Sequence, residues 1–272
     1  RDQSSLGGRA IDIDLKNPIT GLAMTGSSSG TAINVFLGIN DIGVGTDGGG
    51  SVLAPAISLN LFSLIDPALF REERKREKDK ISTDGISFVP SIGLISKNLK
   101  LVQELYFNLR DLESSNREAK ILVDDENICN LLKGENVEVS SFEGKYDNER
   151  LALIETTKRL LEKYDIIVSK EGPVDLHGFG DTVFGHFDDK TKEIQVAANK
   201  GFLRIANMAN CFALTVPSGE LSTAYVILCD SNNVSAIRKS FLIAESLYSE
   251  NDALSERYFL NYKNYFMNGY SN

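Results

Sequence analysis

The sequence predicts an α/β fold: a central mixed, largely parallel, twisted β-sheet flanked by helices. Three observations carry this. From residue 119 onward, short apolar runs alternate with helix-length amphipathic stretches, the pattern of βαβ units. The runs at 165–169 (DIIVS), 212–216 (FALTV) and 224–229 (AYVILC) are continuously apolar, as in strands covered on both faces. With 272 residues, 42 % hydrophobic and 25 % charged, the chain is long and apolar enough to bury a sizeable core. We read it as a single domain over 1–272: a motif-bearing core at 17–67, a βαβ middle at 119–170, and closing strands and helices at 199–266.

Taken in order, residues 1–24 are a loop-rich lead-in with turn signals at Gly7-Gly8 and Asn17-Pro18. Ser28 or Ser29 is placed to cap a helix over 31–37, which Gly38 ends. Residues 41–46 read as a strand running into three glycines. A helix is expected over 51–59, since Pro55 falls in its first turn. Residues 61–65 form a buried strand. The charged stretch 71–80 (REERKREKDK) is too evenly mixed in sign for a nucleic-acid patch and reads as solvated. Turn residues dominate 85–95, and 99–112 has a broad apolar face at helical spacing. Beyond it come a strand at 119–123, a short helix at 127–132, a strand at 137–141, an amphipathic helix at 149–163 and a strand at 165–169. Residues 171–193 read as irregular. A helix at 199–208, strands at 212–216 and 224–229, and helices at 234–248 and 254–266 complete the chain.

Composition narrows the function. A formal net charge of −9 does not favour a nucleic-acid surface. No run of eighteen apolar residues is present, which argues against a transmembrane helix. The N-terminus lacks the apolar core and cleavage site of a signal peptide. It also does not begin with Met, so a fragment or a processed product is expected. Cys129, Cys211 and Cys229 are odd in number and without metal-ligand spacing, which favours reduced thiols and a cytoplasmic setting. Cys211 and Cys229 border apolar strands as packing residues. His177 and His186 make a poor zinc signature. Gly43, Gly45 and Gly48 match a dinucleotide fingerprint, but glycines stand where its helix would begin. No GK[ST] follows a glycine run, which excludes a P-loop.

The informative stretch is 25–55, with one glycine–serine cluster at Gly26-Ser27-Ser28-Ser29-Gly30 and another at Gly48-Gly49-Gly50-Ser51. Glycines let backbone approach a ligand closely. A serine after three of them has N–H donors nearby for a developing oxyanion. Its hydroxyl stays a weak nucleophile until a base takes the proton. No histidine lies near in sequence. A second hydroxyl relaying the proton to a neutral, buried lysine is one alternative.

The run Gly26-Ser27-Ser28-Ser29-Gly30-Thr31-Ala32, followed by Gly45-Thr46-Asp47-Gly48-Gly49-Gly50-Ser51, resembles the amidase signature family. Ser27 and Ser51 stand 24 positions apart (51 − 27), as in that family's pattern. The stretches 84–99 and 207–219 are similar to its downstream motifs, so the resemblance touches most of 17–250. It implies that Ser51 is the acyl-accepting nucleophile and Ser27 the bridging serine, next to a cis peptide bond. It further implies an oxyanion hole from Gly48, Gly49 and Gly50, with Ser28, Thr46 and Asp47 in support. The implied reaction is hydrolysis or transfer at a carboxamide, with no cofactor and no metal, on a small-molecule or peptide amide substrate.

Two departures qualify this. The family's lysine lies several tens of residues upstream of the bridging serine, whereas only 26 residues precede Ser27 here. Lys16, 11 residues before Ser27, is too close for that role. Leu53 stands where the family commonly has arginine. The expectation is therefore an N-terminally incomplete amidase, or an amidotransferase component, whose lysine comes from outside this chain. A second chain supplying that part, or a homo-oligomer, is the implied partner. The alternative is a non-catalytic amidase-fold binding or scaffold protein.

Overall fold

The computed structural model describes residues 16–22, 24–73, 79–82, 84–110, 112, 118–176 and 189–249. The helix expected at 254–266, His177, His186 and the middle of the 71–80 charge run lie outside these residues. The elements are α1 (Ser29–Phe36), β1 (Ile42–Asp47), α2 (Leu53–Ile57), β2 (Phe62–Asp66), β3 (Lys80–Ile81), β4 (Ser87–Phe88) and β5 (Ser91–Ser96). They continue with α3 (Leu99–Leu109), β6 (Lys120–Val123), α4 (Glu126–Leu131), β7 (Asn136–Val139), α5 (Arg150–Leu161), β8 (Ile166–Glu171), α6 (Asp189–Ala197), β9 (Cys211–Pro217), β10 (Ala224–Asp230) and α7 (Val234–Leu247). Among the described residues, no helix is long and apolar enough to cross a membrane.

Eight strands form one mixed sheet in the order β1-β5-β2-β9-β10-β8-β6-β7. Helices cover both faces, and the strands feed two cores by alternation. On β9, Cys211 and Ala213 point into one core, while Phe212, Leu214 and Val216 point into the other. β10 repeats this with Ala224, Val226 and Leu228 against Tyr225, Ile227 and Cys229. A strand buried on both sides is apolar at every position, which explains the unbroken runs. The first core also holds Phe36 of α1, Leu53 and Ile57 of α2, and Phe202. The second gathers Tyr106, Phe212 and Phe241 between α3, the sheet and α7.

Three expectations are corrected. The sheet is mixed, but only β6–β7 and β6–β8 pair in parallel. The other five pairings are antiparallel, because β5 returns between β1 and β2, and β9 and β10 form a hairpin. The stretch 85–95, read as turns, holds β4 and most of β5, and β5 joins β1 to β2. At 199–208 there is no α-helix but a single 3-10 turn, Phe202–Arg204, followed by turns. Glu171, at the end of β8, takes the N–H groups of Gly201, Phe202 and Leu203 and sets that turn.

Candidate functional site

The site is built where β1 ends. Asp47 is its last residue and is wholly buried. Its carboxylate accepts from the N–H groups of Gly50 (2.7 Å), Val52 (2.6 Å) and Leu53 (3.2 Å). One side chain thereby folds the glycine turn back on itself and starts α2. Burial pushes the Asp47 carboxyl above its ordinary value, and the N–H groups of Val52, Gly50, Leu53 and Ser51 offset this only in part.

Each glycine of the turn is closely approached. A Cβ at Gly48 would stand 2.0 Å from the Phe88 ring. One at Gly49 would meet the Arg150 Nη1 at 3.1 Å and Met208 at 3.7 Å. Gly50 has φ +97°, a conformation that favours glycine, and sits on Leu203. The N–H of Gly50 is committed to Asp47.

The second cluster lies against the first. Ser28 N–H donates to the Ser51 carbonyl at 3.0 Å. The Gly26–Ser27 peptide bond is cis. Ser27 and Ser51 are both half-buried, while Ser28 is buried and Thr46 is exposed on β1 opposite Ile92. Ser28 stands at the N-cap of α1 but does not cap it through its side chain. Its Oγ is turned toward Gly45 instead, where a Cβ would come within 2.5 Å. The structure thus brings the 26–29 and 48–51 turns together. Lys16 is exposed, as expected of a surface residue.

Around this pair stand residues that the sequence did not single out. Thr25, wholly buried, gives its N–H to Asp175 Oδ2 at 2.6 Å. Its hydroxyl accepts from Lys200 Nζ at 2.7 Å. Lys200 is 5 % exposed and Asp175 3 %. Arg150, at the start of α5, holds Asp84 through Nε (2.6 Å) and Nη2 (2.5 Å). Burial raises the Asp84 carboxyl, but the Ser82 hydroxyl and the Arg150 guanidinium outweigh it and bring Asp84 below its ordinary value. Glu171 is fully buried, and burial holds it up to about 7 despite Lys145 and its three N–H donors. Asp175, Lys200 and Arg150 meet the site from over a hundred positions away, so only the fold reveals them.

A cleft of about 410 Å³ adjoins the glycine turn, lined by Arg71, Asp79, Phe88, Asn207, Met208 and neighbours. It shares Phe88 and Met208 with Gly48 and Gly49. Asn207 is fixed there by the Val89 carbonyl at 3.0 Å and by the Ser91 hydroxyl.

No family model and no curated protein matches the chain. Solved structures do. A 6-aminohexanoate cyclic dimer hydrolase superposes with a TM-score of 0.57 at 12 % identity, over 85 % of this chain and 69 % of its own. Allophanate hydrolase from Kluyveromyces lactis superposes with a TM-score of 0.53 at 14 % identity, over 88 % of this chain. The chain shares the fold of these hydrolases. It spans 51 % of that allophanate hydrolase. It spans 18 % of the K. lactis urea amidolyase, which it matches with a TM-score of 0.52 at 15 % identity. At such identities the likeness is one of fold alone.

Proposed function

We propose that this chain is an amidase-type hydrolase, or the corresponding component of an amidotransferase, acting on a carboxamide through an acyl-enzyme on Ser51. The observation that supports this most is the meeting of the two glycine–serine turns: Ser28 N–H on the Ser51 carbonyl, beside the cis Gly26–Ser27 bond. In this reading Ser51 attacks the amide carbon and Ser27 takes up its proton. Gly48 and Gly49 supply the N–H donors for the oxyanion, and Gly50 shapes the turn. Asp47 keeps the turn rigid, so that little reorganisation is needed as charge develops. The adjoining cleft receives the acyl or the leaving side of a small-molecule or peptide amide. The relay ends on a lysine. The resembled family draws it from upstream, which here means from outside residues 1–272, on a longer or a second chain.

The second reading, a non-catalytic amidase-fold binding protein, draws on the Phe88 ring seated against Gly48. One experiment separates them. A serine-directed fluorophosphonate is added to the native protein and the labelled peptide is mapped. We expect the label on Ser51 and its loss in Ser51→Ala. A native protein that takes up no label at Ser51 sinks the catalytic reading and leaves the binding one.

A further inference from the structure

We propose that Phe88 is the specificity-determining residue of the cleft: its ring limits the bulk of the substrate group next to the scissile carbonyl and, with Met208, selects an apolar group of single-ring or short-alkyl size. This rests on the reading of Ser51 as nucleophile. Gly48 is buried, and one ring edge lies directly on it. A Cβ at Gly48 would stand 2.0 Å from Phe88 Cε2, 2.8 Å from Cζ and 2.9 Å from Cδ2. Met208 lies toward the next glycine, its Cε 3.7 Å from a Cβ built at Gly49. Both side chains also line the cleft. A group that enters the cleft with its carbonyl at Gly48 and Gly49 must therefore pass against them.

A wall selects by size only if its backbone is held, and this one is held on both sides. Phe88 lies on β4, opposite Lys80 of β3. The turn between these strands closes through Ser82 N–H on the Ile86 carbonyl at 2.9 Å. Its Asp84 is gripped by two nitrogens of Arg150, from α5. The Ser87 hydroxyl donates to Asp79 Oδ2 at 3.1 Å. On the other side, the carbonyl of Val89 accepts from Asn207 Nδ2 at 3.0 Å, and Asn207 is itself buried. The ring thus leaves a backbone that α5 and the 202–210 turns both fix.

The lining sets the chemistry of the group. Phe88 and Met208 are half-buried, whereas Arg71 and Asp79, also in the lining, are exposed and of opposite sign. The drier part of the cleft is therefore the part at the glycine turn, where an apolar group gains by leaving water. A polar or charged extension keeps its solvent beside Arg71 and Asp79. Size follows from the volume. An apolar cavity of about 150 Å³ holds a benzene ring, and the whole cleft measures about 410 Å³. One ring or a short alkyl chain fits beside Phe88 with room for a polar end, and a fused pair of rings at the same place meets the Phe88 edge.

The test compares two fluorophosphonates on the native full chain, one with ethyl on phosphorus and one with 2-naphthylmethyl. The rate of labelling at Ser51 is measured for each, and the readout is the ratio of the bulky probe to the small one. We expect that ratio to rise at least about tenfold in Phe88→Ala and by less in Phe88→Leu. A variant that merely loosens the fold slows both probes and leaves the ratio in place. Circular dichroism and a thermal melt report whether each variant is folded, and where Phe88→Ala does not fold, Phe88→Leu decides alone. A ratio that stays at the wild-type value or falls in the folded variants overturns the proposal, while the nucleophile reading stands on the labelling itself. A wild-type chain that neither probe labels at Ser51 overturns the nucleophile reading, and this proposal with it.

Discussion

At the scale of single residues, Asp47 does more than any other side chain to shape the glycine turn. It is buried without a cationic partner in its hydrogen-bond set and is satisfied by backbone N–H groups. Hydrogen bonds to a charged acceptor contribute about 1.5–3 kcal/mol each, and removing the acceptor leaves buried donors unpaired. Asp47→Ala should therefore cost about 3 kcal/mol or more in a urea titration and should also stop Ser51 labelling. A variant that unfolds at the wild-type urea midpoint would show that the turn holds its own shape. Gly48 tests the same turn from outside. In Gly48→Ala the new methyl would stand 2.0 Å from the Phe88 ring, so either the ring or the turn must move. We expect labelling to fall at least tenfold while the melting temperature drops by only a few degrees. Labelling at the wild-type rate would show that the ring swings away freely. Much of this was legible in the sequence, because two glycine–serine clusters at a fixed spacing lie within one helix and one strand of each other. Asp175 and Lys200 were not legible. They meet Thr25 from 150 and 175 positions away, and nothing local marks a lysine that ends on a distant hydroxyl.

At the scale of elements, the strands that alternate between two cores were readable and the turns set by distant side chains were not. β8, β9 and β10 announce themselves by unbroken apolar runs, since both faces of the sheet are covered. The stretch 199–208 misleads because its apolar residues are spaced as on a helix. The carboxylate of Glu171 takes three successive N–H groups there and turns the chain within one short 3-10 turn. β5 is hidden for another reason: Pro90 and Gly93 are breakers by composition, yet Gly93 lies where a Cβ would stand 2.8 Å from the Leu64 carbonyl. The same scale holds a polar joint between α3 and the sheet. Arg110, at the end of α3, reaches Asp66 at the end of β2 and the Ser231 carbonyl at 2.5 Å. Tyr106 donates to the same carboxylate at 2.8 Å. Removing one partner of such a buried pair strands the other, at a cost of about 3–5 kcal/mol. Arg110→Met should lower the urea-derived stability by that amount at neutral pH. The loss should shrink at acid pH, where the stranded Asp66 takes up a proton. A loss independent of pH would assign the role of Arg110 to packing of its stem instead.

At the scale of the whole molecule, buried carboxyls set how stability depends on pH. Glu171 is held up to about 7 by burial, and Asp47 and Asp66 are also raised by burial. A carboxyl whose folded value exceeds its unfolded one binds its proton more tightly in the folded state. Its contribution is therefore fully present below the ordinary value of 4.5 and is lost as pH rises toward 7. For Glu171 the loss across that window is about 3 kcal/mol, from the shift and the usual conversion. Asp84 works in the opposite sense, but its depressed value places its window below the ordinary 3.8. Melting temperatures taken from pH 5 to 7.5 should accordingly fall, and Glu171→Gln should flatten most of that slope. A wild type whose melting temperature rises across the window would show that Lys145 and the three N–H donors keep Glu171 ionised throughout.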